Sequence, residues 1–119
     1  MNLLRTSPEK FVRLYKKWGL KPQSGSHRVV SGRTCAVGIA IVELMGCVST
    51  SFGDVNQAFH EICRGNPKTI RDFMVGFDAG TQLSRNTVGS RAFKHGYEVG
   101  VEAAQYLRRS GRRATGRSV

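Results

Sequence analysis

Residues 73–80 have the sequence FMVGFDAG, and residues 93–100 have the sequence FKHGYEVG. Both copies follow one pattern, in which Phe, Gly, an aromatic residue, an acid and Gly stand at the same places. Each copy puts two glycines four residues apart, which in a helix is one turn apart on one face. A glycine inside a helix costs up to about 1 kcal/mol relative to alanine, so four of them indicate close helix contact. We therefore predict a helical hairpin whose two arms are built alike.

A first helix is predicted upstream of these repeats, from about Pro8 to Trp18. Ser7 is of a residue type preferred at the N-cap, Pro8 suits the first helical position, and Gly19 is typical of a left-handed C-cap. The apolar face of this helix follows from its spacing, at positions i, i+3, i+4 and i+7. Its members are Phe11, Leu14, Tyr15 and Trp18.

Residues 34–45, TCAVGIAIVELM, are apolar on every side and are predicted to be central and buried. Their β-branched content makes a strand the competing interpretation, whereas their length and the following Gly46 favour a helix. The Gly/Ser/Pro-rich connection over residues 20–33 is long for a compact domain, and we expect it to be mobile in the isolated protein.

The fold class predicted from these segments is all-α, a single-domain bundle of about five helices. Ser51 to Asp54 reads as a capping box, and Asn66-Pro67 starts the next helix. A polar turn over residues 81–86 precedes a last helix, which we expect from Asn86 or Thr87 to about Arg108. The helical domain then covers residues 1–108, and residues 109–119 form a basic, flexible tail.

Positive charge is concentrated at the two ends of the chain. The formal net charge is +11, from 19 Lys+Arg and 8 Asp+Glu. Residues 1–33 carry eight bases and one acid, residues 34–107 carry six bases and seven acids, and residues 108–119 carry five arginines and no acid. A nearly neutral centre between basic ends indicates a folded unit that holds a polyanion. We expect nucleic acid, RNA or DNA, bound mainly through its phosphates and without catalysis.

The expected phosphate contacts are basic side chains from both ends. They are Lys10, Arg13, Lys17, Lys21, Arg28 and Arg33 in the N-terminal segment, and Arg108, Arg109, Arg112 and Arg113 in the C-terminal segment. No zinc-finger spacing and no RNP-type aromatic motif accompanies them. A helix-turn-helix between the third and fourth helices, which would present Lys68, Thr69 and Arg71 to a groove, is a further possibility.

Two other functions stay open at this point. A protein-interaction module, such as a phage- or plasmid-type inhibitor, would use the same basic surface against an acidic partner protein. A small cysteine hydrolase would use Cys35, because a thiol in the first turn of a helix has a lowered pKa. Its general base would be a histidine, and the spacing of His27, His60 and His95 selects none of them.

No cofactor and no metal is expected from the sequence. The residue types of a zinc site are present, but the closely paired cysteines of a zinc knuckle are absent. These residues are Cys35, Cys47, His60 and Cys63. Three cysteines, an odd number, fit free thiols in a reducing compartment, and no segment has the length and composition of a membrane span. The sequence thus predicts a cytoplasmic protein without a membrane partner and leaves its oligomeric state open.

Overall fold

The structure, a computed structural model, describes residues 2–48, 52–64, 66–82 and 89–117, and for residues 52 and 111–117 it describes the backbone alone. Five α-helices and a pair of two-residue strands follow a short 3-10 turn, Leu3–Arg5. The elements are α1 Pro8–Trp18, β1 Lys21–Pro22, β2 Arg33–Thr34, α2 Ala36–Met45, α3 Phe52–Cys63, α4 Pro67–Thr81 and α5 Arg91–Arg117. The predicted all-α class is confirmed, with β1 and β2 pairing in parallel as the only strands of the described residues.

The helix ends have the capping chemistry that the sequence indicates. The Ser7 side chain accepts a hydrogen bond from the Lys10 amide at the start of α1. Gly19 after α1 and Gly46 after α2 adopt the left-handed conformation, with φ of 67° and 73°. An L-residue with a Cβ pays a steric cost in this conformation, and glycine does not, so both helices end where the sequence places a glycine.

The helix α2 forms the centre of the core. Every residue from Ala36 to Val42 is buried, so the helical and central interpretation of residues 34–45 is confirmed. The largest fully buried side chains beside it come from α1, α4 and α5. They include Phe11, Tyr15, Phe73, Phe77 and Val99.

The glycines of α4 and α5 bring the backbones of these helices into direct contact. A Cβ built on Gly76 would overlap the carbonyl oxygen of Phe93, and a Cβ built on Gly96 would overlap that of Phe73. Phe73 and Phe93 are equivalent residues of the two repeats, and so are Gly76 and Gly96. The contact is therefore reciprocal, as in the interface of a two-fold symmetric dimer. Backbone contact of this kind is what the four glycines predict.

The direction of these two helices differs from the prediction. Asp72 lies in the first half of α4. Its Oδ2 accepts a hydrogen bond of 3.0 Å from the hydroxyl of Ser90, the residue before α5. Further along, a Cβ on Gly100 would overlap the carbonyl oxygen of Phe77. The contacting residue numbers increase along α4 and α5 together, so the two helices are parallel. The predicted hairpin is wrong, because the helices of a hairpin run antiparallel.

The helix α1 runs along α5 in the same direction. Near the N-terminal end, Nε2 of His95 lies 3.0 Å from the Leu3 carbonyl oxygen and 2.8 Å from that of Thr6. Toward the C-terminal end, Nζ of Lys16 lies 5.6 Å from the centre of the Tyr106 ring. The C-terminal end of α1 therefore lies beside the part of α5 that precedes Arg108, which brings the N-terminal and C-terminal basic segments toward each other.

The connection between α1 and α2 contacts the domain at several points, and the mobility that we expected of it in the isolated protein stays a prediction. The amide of Gly25 donates to Oδ1 of Asp78 on α4 at 3.0 Å, and the amide of Cys35 donates to the carbonyl oxygen of Ser26 at 2.8 Å. The His27 ring stacks on Phe59 of α3 with ring centres 4.3 Å apart. These contacts attach the connection to three helices.

The predicted ends of the last helix also differ from the structure. The helix begins at Arg91, and it continues past Arg108 to Arg117. Of the polar turn predicted over residues 81–86, Thr81 is the last residue of α4 and Gln82 is its C-cap. The rest of that turn, Asn86 and Thr87 as predicted helix starts, and Ser51 of the capping box lie outside the described residues. The division into a domain of residues 1–108 and a flexible tail of residues 109–119 stays a prediction.

Candidate functional site

The strand pair places two of the expected phosphate contacts side by side. Lys21 of β1 and Arg33 of β2 are in register, and both are exposed while their neighbours Pro22 and Thr34 are buried. Residues in register on adjacent strands lie roughly 5 Å apart and present their side chains on the same face. Like charges in this arrangement repel each other, so the pair is stabilised when an anion approaches both.

Residues from the C-terminal segment join this pair. The strand β1 contacts α5, and Arg108 of α5 lines a depression of about 210 Å³ together with Pro22, which follows Lys21. Arg109 is exposed beside it. Lys16 of α1 completes the cluster through its contact with Tyr106, one turn before Arg109 on α5. We call Lys16, Lys21, Arg33 and Arg108 the basic end.

Lys16 is a member that the sequence-based list left out. It lies on α1 next to Lys17, and residues one apart in a helix point in different directions. Lys16 faces α5, whereas Lys17 faces α2. The sequence holds no sign of the Tyr106 contact, because the two residues are far apart in the chain and meet only through the parallel packing of α1 and α5.

Lys17 is already paired within the protein. Its Nζ lies 2.8 Å from Oε1 of Glu43, and the indole Nε1 of Trp18 donates to Oε2 of the same carboxylate at 2.7 Å. Hydrogen bonds from Lys17 and Trp18 lower the pKa of Glu43, so the carboxylate is charged at neutral pH. An internal carboxylate competes with a phosphate for Lys17, which is therefore a weaker candidate than Lys21 or Arg33.

The other expected contacts are spread over the surface. Lys10 and Arg13 are exposed on the outward face of α1, and Arg28 is exposed in the connection before β2. Arg112 and Arg113 belong to α5, but their side chains lie outside the described residues. A helical backbone stacks position 112 on 108 and position 113 on 109, so α5 continues away from the basic end as an arginine-rich helix.

Acidic groups lie at a separate place along α5. Glu98 and Glu102 line a groove against the start of α1 together with Glu9. Since a helix rises 1.5 Å per residue, Glu98 and Arg108 are about 15 Å apart along the axis. These acids lie between Arg91 and Lys94 in the first turn of α5 and Arg108 and Arg109 further along the helix, so they separate the basic end from the other cations of α5.

Cys35 does not have the environment of a nucleophile. It is the N-cap residue of α2, but it is only 3% exposed. Burial raises the pKa of its thiol to about 11, and this outweighs the backbone hydrogen bonds at the helix start that act in the opposite direction. A neutral, enclosed thiol is a poor nucleophile, so the structure argues against a cysteine hydrolase that uses Cys35.

The described residues hold no group of three or more His, Cys, Asp or Glu side chains placed to bind a metal ion. None of the helices in the described part of the chain has both the length and the apolar character needed to cross a membrane.

Comparisons with known proteins add no similarity to these observations. No protein-family model matches the chain, and neither a curated protein nor a solved structure is detectably similar to it.

Proposed function

We propose that this protein binds the phosphate backbone of nucleic acid, RNA or DNA, through the basic end. The observation that carries the proposal is the registered pair of Lys21 and Arg33, with Arg108 lining a depression together with Pro22, the residue after Lys21. The two cations of the strand pair are exposed on the same face and repel each other in the free protein. A bound phosphate backbone reduces this repulsion and also releases its own counterions. Both effects make the free energy of binding more favourable.

The charge distribution along α5 supports an oriented complex. The acidic groove with Glu98 and Glu102 repels a polyanion, while the basic end attracts it, so the end of α5 that carries Arg108 and Arg109 faces the ligand. Backbone contacts of this type give affinity without base readout, so we expect little sequence preference.

A salt titration tests this proposal directly. Fluorescence anisotropy would measure binding to labelled duplex DNA, duplex RNA and single-stranded oligonucleotides of mixed sequence. For duplex DNA, the slope of log K against log salt is about −0.9 per phosphate contacted, so contacts from the basic end and from some of Arg109, Arg112 and Arg113 predict a slope of roughly −4 to −6. Absence of binding at 50 mM salt would sink the proposal.

A matched pair of triple variants locates the surface. Neutralising Lys21, Arg33 and Arg108 to Gln is expected to make the slope less steep by about 3 and to weaken binding at every sequence tested. The control variant neutralises Arg5, Arg91 and Lys94, which are exposed at the opposite end of α5 and its neighbouring turn. Both variants lose the same net charge, so equal losses of affinity would show that the basic end is not the site.

A further inference from the structure

A second surface lies between α3 and α4, away from the basic end. It is an open groove of about 670 Å³, with Phe59 and Cys63 of α3 on one side and Met74 and Val75 of α4 on the other. Val75 is an apolar residue in the middle of α4, and its side chain is 52% exposed. The opposite face of α4 is buried against α5. A concave surface of this volume with mainly apolar walls has the size of the clefts in which proteins bind ligands, so the groove is a candidate binding site.

The dimensions of the groove fit a short helix. Its lining residues extend along α4 from Pro67 to Asp78, and at 1.5 Å per residue this is a length of about 16 Å, or three helical turns. Phe59 and Cys63 on the opposite wall are one turn apart. Grooves that receive an amphipathic helix have this form, with apolar side chains at helical spacing on both walls.

The charge of the groove selects an acidic occupant. Lys68 and Arg71 line it at the N-terminal end of α4, where the helix dipole adds further positive potential. Its one described acidic residue, Asp78, already accepts a hydrogen bond from the Gly25 amide. The His27 ring lines the groove beside Phe59 and is uncharged at neutral pH, because burial and the nearby Arg28 lower its pKa.

We propose that this groove binds an acidic amphipathic helix of a partner protein, with two or three apolar side chains on the floor and carboxylates toward Lys68 and Arg71. The apolar Met, Val, Phe and Cys side chains of the two walls would remain exposed beneath a phosphate backbone, so nucleic acid fits the groove poorly. Lys68 and Arg71 are also residues that the helix-turn-helix hypothesis assigns to DNA contact, and the present proposal assigns them to a protein partner instead. The site is distinct from the basic end, and the proposal does not depend on nucleic-acid binding.

A designed peptide serves as the probe. It is a labelled helix of about four turns with Leu at positions i, i+3, i+4 and i+7 and Glu on the remaining faces. A peptide of identical composition, with its Leu residues distributed around the helix, controls for attraction to a protein of net charge +11. We expect anisotropy to show saturable binding of the first peptide and at least tenfold weaker binding of the second, a difference of about 1.4 kcal/mol. Equal binding of both peptides would overturn the proposal.

Variants then locate the binding site. Val75→Glu is expected to weaken the first peptide by at least about tenfold. Leu44→Glu on α2 is the matched control, since Leu44 is 53% exposed, is not among the described lining residues and undergoes the same change of charge. Lys68→Gln with Arg71→Gln is expected to weaken binding and reduce its salt dependence. Equal effects of the two Glu variants would overturn the proposal.

Two other occupants are distinguished by the same variants. If Val75→Glu abolishes self-association in sedimentation while the peptide does not bind, a second copy of the chain occupies the groove and the proposal is wrong. If Val75→Glu weakens oligonucleotide binding as much as neutralisation of the basic end does, nucleic acid occupies the groove and the proposal is equally wrong.

Discussion

The two sides of α4 differ sharply in how closely they meet a neighbour. On the side of α5, glycines bring the two backbones together without room for a Cβ. On the side of α3, larger apolar residues line a groove of about 670 Å³. One helix therefore contributes both a contact of backbone against backbone and one wall of an open groove. The difference shows that apolar periodicity alone does not produce close packing, whereas small residues on both partners do.

The largest effect is expected from filling the tight side. Gly76→Val places a side chain against the backbone of Phe93, which cannot move aside as a flexible side chain would. We expect a loss of about 3 kcal/mol in the free energy of unfolding, at or above the usual cost of overpacking. Urea denaturation measures it. Gly53→Val on α3 is the control, because a Cβ there meets nothing within 4 Å. Equal stability of the two variants would contradict the parallel contact of α4 and α5.

Cysteine alkylation compares the core with the groove in a single experiment. Cys47 is exposed, Cys63 is half-buried in the groove, and Cys35 is buried in the core. With a pKa of about 11, Cys35 holds little thiolate at neutral pH, and enclosure slows it further. We expect iodoacetamide to modify Cys47 first and Cys63 next, with Cys35 slower than Cys47 by more than about 100-fold.

Mass spectrometry of the digested protein gives the rate at each site, and the same reaction in denaturant provides the reference. Rapid modification of Cys35 in the folded protein would mean that the core opens readily, and the cysteine hydrolase would return as a hypothesis.

The two equivalent acids of the repeats are expected to contribute unequally. Asp78 faces the α3 side and accepts a hydrogen bond from the Gly25 amide, whereas Glu98 is exposed beside Glu102. Asp78→Ala is expected to cost about 1 kcal/mol and to speed hydrogen exchange at the Gly25 amide. Glu98→Ala should change stability by less than about 0.5 kcal/mol. If both substitutions cost the same, the repeats are equivalent in energy as well as in sequence.

The smallest effect is a pH dependence on the groove side. Burial lowers the pKa of His27 in the folded state, so the unfolded chain takes up the proton at higher pH. The stabilising contribution of the neutral ring is complete above about pH 6.5 and is lost as the pH falls through the folded-state pKa. NMR titration of the ring and denaturation at pH 7 and pH 5 measure it. His27→Phe keeps an aromatic stack on Phe59 without the titration, and it should flatten the dependence; an unchanged dependence would point to another group.

Local chemistry was sufficient to predict the helices and their buried faces. Ser7, Gly19 and Gly46 mark helix ends because capping depends on one residue and its nearest neighbours. The continuous apolar character of residues 36–42 indicated a central helix, since no face of it could be exposed without cost. The end of α5 was missed because its last turns have no apolar periodicity, the signal on which the prediction relied.

The sequence by itself determined which residues form helices, which glycines meet, and that positive charge gathers at the two ends. Only the tertiary structure decided that α4 and α5 are parallel, because glycines one turn apart allow close contact in either direction. That direction is set by contacts between residues distant in the chain, such as Ser90 with Asp72. The contacts of His95 with Leu3 and Thr6 place α1 along α5 in the same direction. The end of α1, and the strands that follow it with Lys21 and Arg33, therefore lie toward the part of α5 that carries Arg108.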